Sequence, residues 1–202
     1  MSISYHELEI KSDEQVYDPA EDSLLAAGIV EAAVRDAHRG IDVLDMGCGT
    51  GILGLVAAIS ENTRSVTFAD INAAAVRLCE ENIERNSEFL CAKCIAIKSD
   101  MFSNIKGRFD LMIFNAPYLP DNDSIGLSES WYGGREGIEI TNRFLDEAVL
   151  HLNPEGQIIL VESSFGNIEA LRGRIAELGF RIIKEEKKHV SFEDIVVMLI
   201  SA

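Results

Sequence analysis

The sequence predicts an α/β fold, a doubly wound and mostly parallel sheet of seven strands with an antiparallel carboxyl-terminal strand. Three observations lead there. Short apolar runs alternate with amphipathic segments along most of the chain, the pattern of right-handed βαβ units on a parallel sheet. The run Phe109-Asp110-Leu111-Met112-Ile113-Phe114 is almost wholly apolar, as a strand covered on both faces must be. Two strand-like stretches, 181–187 and 192–200, then follow one another with no helical pattern between them, which calls for a hairpin closing the sheet.

The elements follow in order. Leu24, Leu25, Gly28, Ile29, Ala32 and Ala33 recur at helical spacing, so residues 20–37 read as a helix. Ile41–Met46 reads as a buried strand, 50–60 as a helix and 65–70 as a second strand. Asn72 can cap the next helix, which runs to about residue 86. Strands are expected at 94–98 and 109–114, a helix over 138–152 that stops before Pro154, a strand at 157–161 and a helix over 168–178. Ligands of such sheets lie beyond the carboxyl ends of the strands, so the functional loops should follow Met46, Asp70, Ser99 and Phe114.

A chain of 202 residues suits one domain over 1–202, with residues 1–15 read as a flexible or peripheral segment. The balance of 18 Lys+Arg against 34 Asp+Glu gives a net charge of −16, which argues against a general phosphate-backbone binder. The amino terminus lacks the basic and apolar regions of a secretory signal, and the longest apolar stretch, 51–59, is far too short to span a bilayer. A cytoplasmic protein is the expectation. Cys91 and Cys94 form a Cys-x-x-Cys, but no second ligand pair lies nearby for zinc, and no metal site is expected. His6, His38, His151 and His189 are scattered and receive no role.

The first predicted strand ends in Asp45-Met46-Gly47-Cys48-Gly49-Thr50-Gly51. Glycines there permit a tight turn and close backbone approach, and a helix amino terminus follows. Two cofactor classes compete for such a loop. Gly49-Thr50-Gly51-Ile52-Leu53-Gly54 matches the dinucleotide pattern, but starts three residues past the strand's end. Aligned from Asp45, the loop places a carboxylate at the strand's tip, poorly suited to a pyrophosphate and well suited to a ligand carrying an ammonium and a sulfonium. Asp70 ends the second strand, where an acid can accept two ribose hydroxyls in either cofactor class. Asp100 and Met101 follow the third strand; if the loop holds the sulfonium ligand, Asp100 accepts from its adenine amino group and Met101 packs on the ring.

Asn115-Ala116-Pro117-Tyr118 follows the fourth strand directly. It resembles the Asn-Pro-Pro-Tyr motif of methyltransferases that act on an amino group conjugated to a π system. Such a nitrogen has a delocalised lone pair and needs positioning. The Asn115 side-chain oxygen and the backbone carbonyl of residue 116 can accept its two N–H groups, and Tyr118 can lie against the flat group. Ala116 departs from the motif, yet its carbonyl remains, and Pro117 still disfavours helical angles at 116. A long polar loop, 121–137, comes next and holds Trp131-Tyr132-Gly133-Gly134-Arg135-Glu136-Gly137. A loop this long in a compact domain is usually functional or disordered, and a substrate lid is one use; Arg135 could meet a substrate carbonyl or sit solvated.

With Val16-Tyr17-Asp18-Pro19-Ala20-Glu21-Asp22-Ser23 ahead of the first helix, these motifs resemble those of the HemK-type class I protein-glutamine methyltransferases, closest to the short archaeal and eukaryotic branch. The resemblance covers nearly the whole chain from Val16 onward. It implies a Rossmann-like methyltransferase domain that uses S-adenosyl-L-methionine to methylate the glutamine amide in the Gly-Gly-Gln motif of a class I translation release factor. It implies that Ser23, Asp45, Gly47, Gly49, Gly51, Asp70, Asp100, Met101 and Asn115 contact the cofactor, and that Asn115, Pro117 and Tyr118 hold the glutamine. It also implies a heterodimer with a small zinc-binding activator. The strand formed by Cys94, Ile95, Ala96, Ile97 and Lys98 would be a sheet edge in that family, and its unpaired backbone is where the partner is expected to dock. Adenine-amino methylation of DNA or RNA, a nicotinamide-dependent oxidoreductase and a non-catalytic cofactor-binding subunit are the competing readings.

Overall fold

A computed structural model describes residues 2–37, 40–116, 119–120, 132–134 and 137–202, with backbone alone for 119–120 and 132–134. In chain order the elements are β1 (Ser2–Tyr5), β2 (Leu8–Lys11), α1 (Glu21–Asp36), β3 (Ile41–Met46), α2 (Ile52–Ala58), β4 (Thr63–Asp70), α3 (Ala73–Arg85), β5 (Lys93–Lys98), β6 (Phe109–Asn115), β7 (Leu119–Pro120), β8 (Tyr132–Gly134), α4 (Glu139–His151), β9 (Leu152–Ser163), α5 (Ile168–Glu177), β10 (Arg181–Val190) and β11 (Glu193–Ser201).

Seven strands form one sheet in the order β10-β11-β9-β6-β3-β4-β5. Strands β3, β4, β5, β6 and β9 pair in parallel, and β11 runs antiparallel to both its neighbours, β9 and β10. This is the predicted doubly wound class I methyltransferase-type sheet with its antiparallel carboxyl-terminal strand. The chain moves outward from β3 through β4 to β5, then returns to β6 on the other side of β3. The reversal falls between β3 and β6, and the carboxyl ends of the strands at such a switch point are where open α/β sheets bind ligands.

Both faces of the sheet are covered. Val43, Phe68, Ile113 and Ile159 face a layer that includes residues of α1, α2 and α3, while Leu44, Met112, Phe114 and Leu160 face α4 and α5. This explains the near-continuous apolar runs of β3 and β6. On the second face, the Phe114 and Phe144 rings stack with centroids 4.5 Å apart, pinning α4 to the central strand.

Residues 1–15 differ from their reading as flexible or peripheral. Strands β1 and β2 make an antiparallel hairpin against α3, with Leu8 and Ile10 fully buried. Side chains complete its free backbone edge. Asn86 accepts from Glu9 N at 2.8 Å and donates to Glu9 O at 3.0 Å. Asn82 accepts from Lys11 N at 2.9 Å and donates to Lys11 O at 3.0 Å. Four residues along a helix rise ~6 Å and two along a strand rise ~6.8 Å, so carboxamides one helical turn apart match alternate strand residues. The β9 strand also begins earlier than predicted. Leu152 pairs with Phe109, and the chain then bulges past Pro154, with Glu155 at φ 65°, before Gln157 pairs with Leu111.

Asn82 also donates to Thr50 O at 2.9 Å, tying the hairpin to the glycine loop. Asn82→Ala would leave part-buried backbone groups of Lys11 and the buried Thr50 carbonyl without these partners. We expect a loss of about 3 kcal/mol, a fall of roughly 6–12 °C in Tm. Calorimetric scanning that finds a shift below about 2 °C would show that the hairpin is not held this way.

Candidate functional site

The glycine loop is built around Asp45. This residue lies one short of the end of β3 and is buried, and its Oδ2 accepts the Gly54 N–H at 2.8 Å. The loop between reverses direction through left-handed backbone at Gly47, Gly49 and Gly51, with φ of 63°, 54° and 84°. Gly51 caps α2, and a β-carbon there would stand 2.7 Å from Cys79 Sγ. At Gly54 a β-carbon would meet Phe68 Cε1 at 2.2 Å, so helix and strand pack too closely for any other residue. Burial pushes the Asp45 carboxyl up to about 8; the Gly54 hydrogen bond opposes this and the nearby Asp70 charge adds to it.

Asp70 closes the loop from β4. Its Oδ2 accepts Gly49 N–H at 3.0 Å, and its Oδ1 accepts Asn72 N–H at 2.8 Å. Burial raises this carboxyl above its ordinary range, against the pull of the backbone N–H groups of Asn72, Gly49 and Ile71. Two carboxyl groups reluctant to ionise thus flank one glycine loop. That donor set fits a cationic ligand with vicinal hydroxyls, as S-adenosylmethionine is, and fits a pyrophosphate badly.

Asp100 and Met101 reach the same end of the sheet through Ser99, whose N–H donates to Asp70 O at 2.9 Å and whose hydroxyl donates to Met101 O at 2.6 Å. Met101 holds a left-handed φ of 46°. Asp100 is half exposed and accepts from Arg143 Nη1 of α4 at 2.8 Å. Arg143 was not singled out from the sequence, because the contact joins residues 43 positions apart.

Asn115 ends β6, paired with Val161 of β9 and next to the end of β3. Its Nδ2 donates to Asp22 Oδ2 at 3.0 Å. Its Oδ1 is buried and has no hydrogen-bond partner among the described residues. Asp22 sits in the first turn of α1 and is itself buried. Its Oδ1 accepts from Ser23 N at 2.7 Å, from Ser23 Oγ at 3.3 Å and from the Tyr17 hydroxyl at 3.2 Å. Ser23 is therefore linked through Asp22 to the first residue of the tetrad. Pro117, Tyr118, Trp131, Arg135 and most of the 121–137 loop fall outside the described residues; the backbone of Leu119 pairs with that of Tyr132, joining the loop's two ends.

A second residue missed in the sequence is Glu162, one past the strand position that faces Asn115. It is fully buried, and its Oε1 accepts from the Thr141 hydroxyl of α4. Its Oε2 has no partner among the described residues. Burial pushes its carboxyl up to about 8, opposed by the Thr141 bond. Of the Cys-x-x-Cys pair, Cys94 lies within β5 and Cys91 is exposed before it, and no cluster of metal-binding side chains occurs among the described residues.

The pattern of the methyltransferase small domain family matches residues 18–191. A Methanocaldococcus jannaschii protein named as an N5-glutamine methyltransferase is 30% identical over 203 residues, covering 98% of this chain and 98% of its own. The Mus musculus methyltransferase HEMK2 is 31% identical over 162 residues, covering 77% of this chain and 75% of its own. Among solved structures, the E. cuniculi Mtq2–Trm112 complex, responsible for methylation of the eRF1 translation termination factor, matches with a TM-score of 0.64 at 22% identity, covering 93% of this chain and 98% of that one. At that identity the likeness is one of fold.

Glu162 generates a pH prediction. Its folded carboxyl titrates near 8, above its unfolded range, so the folded state holds the proton more tightly. Its contribution is therefore fully present below about pH 4 and is lost as pH climbs toward 8. Glu162→Gln removes that loss while keeping the shape. Urea unfolding should show similar stabilities at pH 5, and the variant ahead by about 2 kcal/mol or more at pH 9. Asp45 lends both proteins the same slope, so the difference isolates Glu162. Parallel stability curves would rule out a buried neutral acid there.

Proposed function

We propose, from the premise that this chain belongs to the methyltransferase small domain family and within it to the HemK-type protein-glutamine methyltransferases, that it methylates the side-chain amide nitrogen of the glutamine in the Gly-Gly-Gln motif of a class I translation release factor. It is an S-adenosylmethionine-dependent enzyme. The observation that carries the substrate reading is the Asn115 carboxamide, whose nitrogen is held by Asp22 while its buried oxygen has no donor among the described residues. A buried acceptor without a partner costs roughly 1–3 kcal/mol, which a substrate N–H would relieve on binding.

The chemistry follows from that acceptor. A glutamine amide is a weak nucleophile because its lone pair is shared with the carbonyl. Asn115 Oδ1 accepts one of its N–H groups and the Ala116 carbonyl accepts the other, which turns the nitrogen toward the cofactor. The roles of packing against the amide plane and setting the turn fall by the motif's resemblance to Tyr118 and Pro117, which lie outside the described residues. The cofactor supplies an electrophilic methyl on a sulfonium. Asp45 and Asp70 would hold its cationic and hydroxyl groups beside Gly47, Gly49 and Gly51, and Ser23, Asp100 and Met101 would contact the rest of it. Binding a cation lowers the penalty for ionising Asp45, so the buried acid and the charged ligand stabilise one another. Positioning of this kind contributes about 7–11 kcal/mol where the reacting atoms are held in line.

The chain acts as one domain in the cytoplasm; none of the described helices is long and apolar enough to cross a membrane. It works with a small zinc-binding partner, in the manner of the E. cuniculi complex, which contains Trm112. Strand β5 is one of the two outer strands of the sheet, the other being β10, and Ile95 on it is 56% exposed. That edge, Cys94 to Lys98, is the docking strand. Two expectations follow. Labelled methyl should appear on a release factor and not on its Gly-Gly-Gln→Gly-Gly-Ala variant or on a DNA and RNA pool, and Asn115→Ala should lower the rate on the order of 10²–10³-fold. Label on nucleic acid instead would promote the adenine-amino reading, which the net charge of −16 disfavours. Ile95→Lys should weaken partner association at least about tenfold by calorimetry, and an unchanged affinity would move the partner to another surface.

A further inference from the structure

We propose that Asp22 is a positioning residue that decides which atom of the Asn115 carboxamide meets the substrate. The inference rests on the glutamine-methylation reading and adds to it a part that the sequence motifs leave open.

A carboxamide is almost symmetric in shape but opposite in polarity at its two ends. Turned one way, Asn115 offers an oxygen to an incoming NH₂ group. Turned the other way, it offers N–H against N–H, and the substrate nitrogen is repelled. Packing alone hardly distinguishes the two. The neighbour that does is Asp22, a carboxylate that accepts from Ser23 N, Ser23 Oγ and the Tyr17 hydroxyl on Oδ1, and from Asn115 Nδ2 on Oδ2. Only the nitrogen end of Asn115 can satisfy Oδ2. The oxygen end is thereby directed away from α1, where it is buried and without a partner among the described residues. Asp22 is anchored in turn, because Ser23 N–H at 2.7 Å fixes the rotation of its carboxylate. The link spans 93 positions, so the start of α1 and the end of β6 act as one unit.

The anchoring makes an unusual test available. In Asp22→Asn the new side chain must keep its oxygen on Ser23 N–H. Its NH₂ group then faces Asn115, which must turn over to accept it and so presents Nδ2 to the substrate. Shape is conserved and polarity is inverted. With the full chain and its partner, the rate on a release factor should fall on the order of 10²-fold, while S-adenosylmethionine affinity by calorimetry stays within about threefold. Pairing Asp22→Asn with Asn115→Asp restores the complementarity, since a carboxylate at 115 accepts from position 22 and from the substrate together. The double variant should recover at least about tenfold over Asp22→Asn alone. A purely structural Asp22 gives no such recovery, and its absence overturns the proposal, as does an unchanged rate in Asp22→Asn.

A second measurement needs no substrate. The Asn115 side-chain NH₂ resonance, identified by its loss in Asn115→Asp, should exchange with solvent more slowly in the wild type than in Asp22→Ala. Equal exchange overturns the contact. A wild type that leaves every release-factor glutamine unmodified, yet shows the slow exchange, sinks the substrate reading while supporting the fixed carboxamide.

Discussion

The bond from Gly54 N–H to the Asp45 carboxyl holds the ligand end of this protein together. It joins the tip of β3 to the first turn of α2 across a loop that must reverse within a few residues. A hydrogen bond to a neutral carboxyl contributes about 0.5–1.5 kcal/mol, which helps to hold a backbone path that runs through three left-handed glycines. Close packing is the companion constraint. Phe68 and Cys79 press on Gly54 and Gly51 so tightly that added β-carbons would overlap them. The loop therefore stands preformed, with Asp70 closing its far side through Gly49 N–H.

Burial gives that arrangement its electrostatic character. The chain is strongly acidic overall, yet the two acids at the glycine loop are pushed toward the neutral form by desolvation. Their pKa shifts oppose stability as pH rises, because the unfolded chain ionises them freely. A cation seated between them reverses the balance. The site thus carries a built-in preference for positive charge without presenting a fully ionised acidic patch, and the fold gives up some stability at neutral pH to keep it.

Sequence chemistry made one part of this legible and left another hidden. The order of strands and helices, the glycine turn, and the placement of Asp70 and Asn115 at strand ends were readable because each signal is local: a period, a turn residue, a polar residue at a strand's tip. The amino-terminal hairpin was not, since the partners of its edge are the Asn82 and Asn86 side chains and not another strand. Neither was the ion pair of Arg143 with Asp100, nor the Glu162–Thr141 contact, both made by α4 only after it packs on the sheet. Pro154 misled in a different way. It stops α4's pattern but is absorbed by a bulge, so β9 already pairs at Leu152.

The tetrad's departure from its usual sequence can be judged on the same grounds. Position 116 has two tasks, to offer a backbone carbonyl and to leave helical geometry. Alanine performs the first as well as proline does. The second is imposed from outside, because Pro117 biases its predecessor toward extended angles and β6 delivers the chain already extended at Asn115. Ala116 is itself buried in the apolar layer that holds Phe114 and Phe144, which restricts it further. What proline would add is a lower entropy in the unfolded chain, an effect of about 0.4–1 kcal/mol on stability. That quantity bears on folding and leaves the acceptor pair in place.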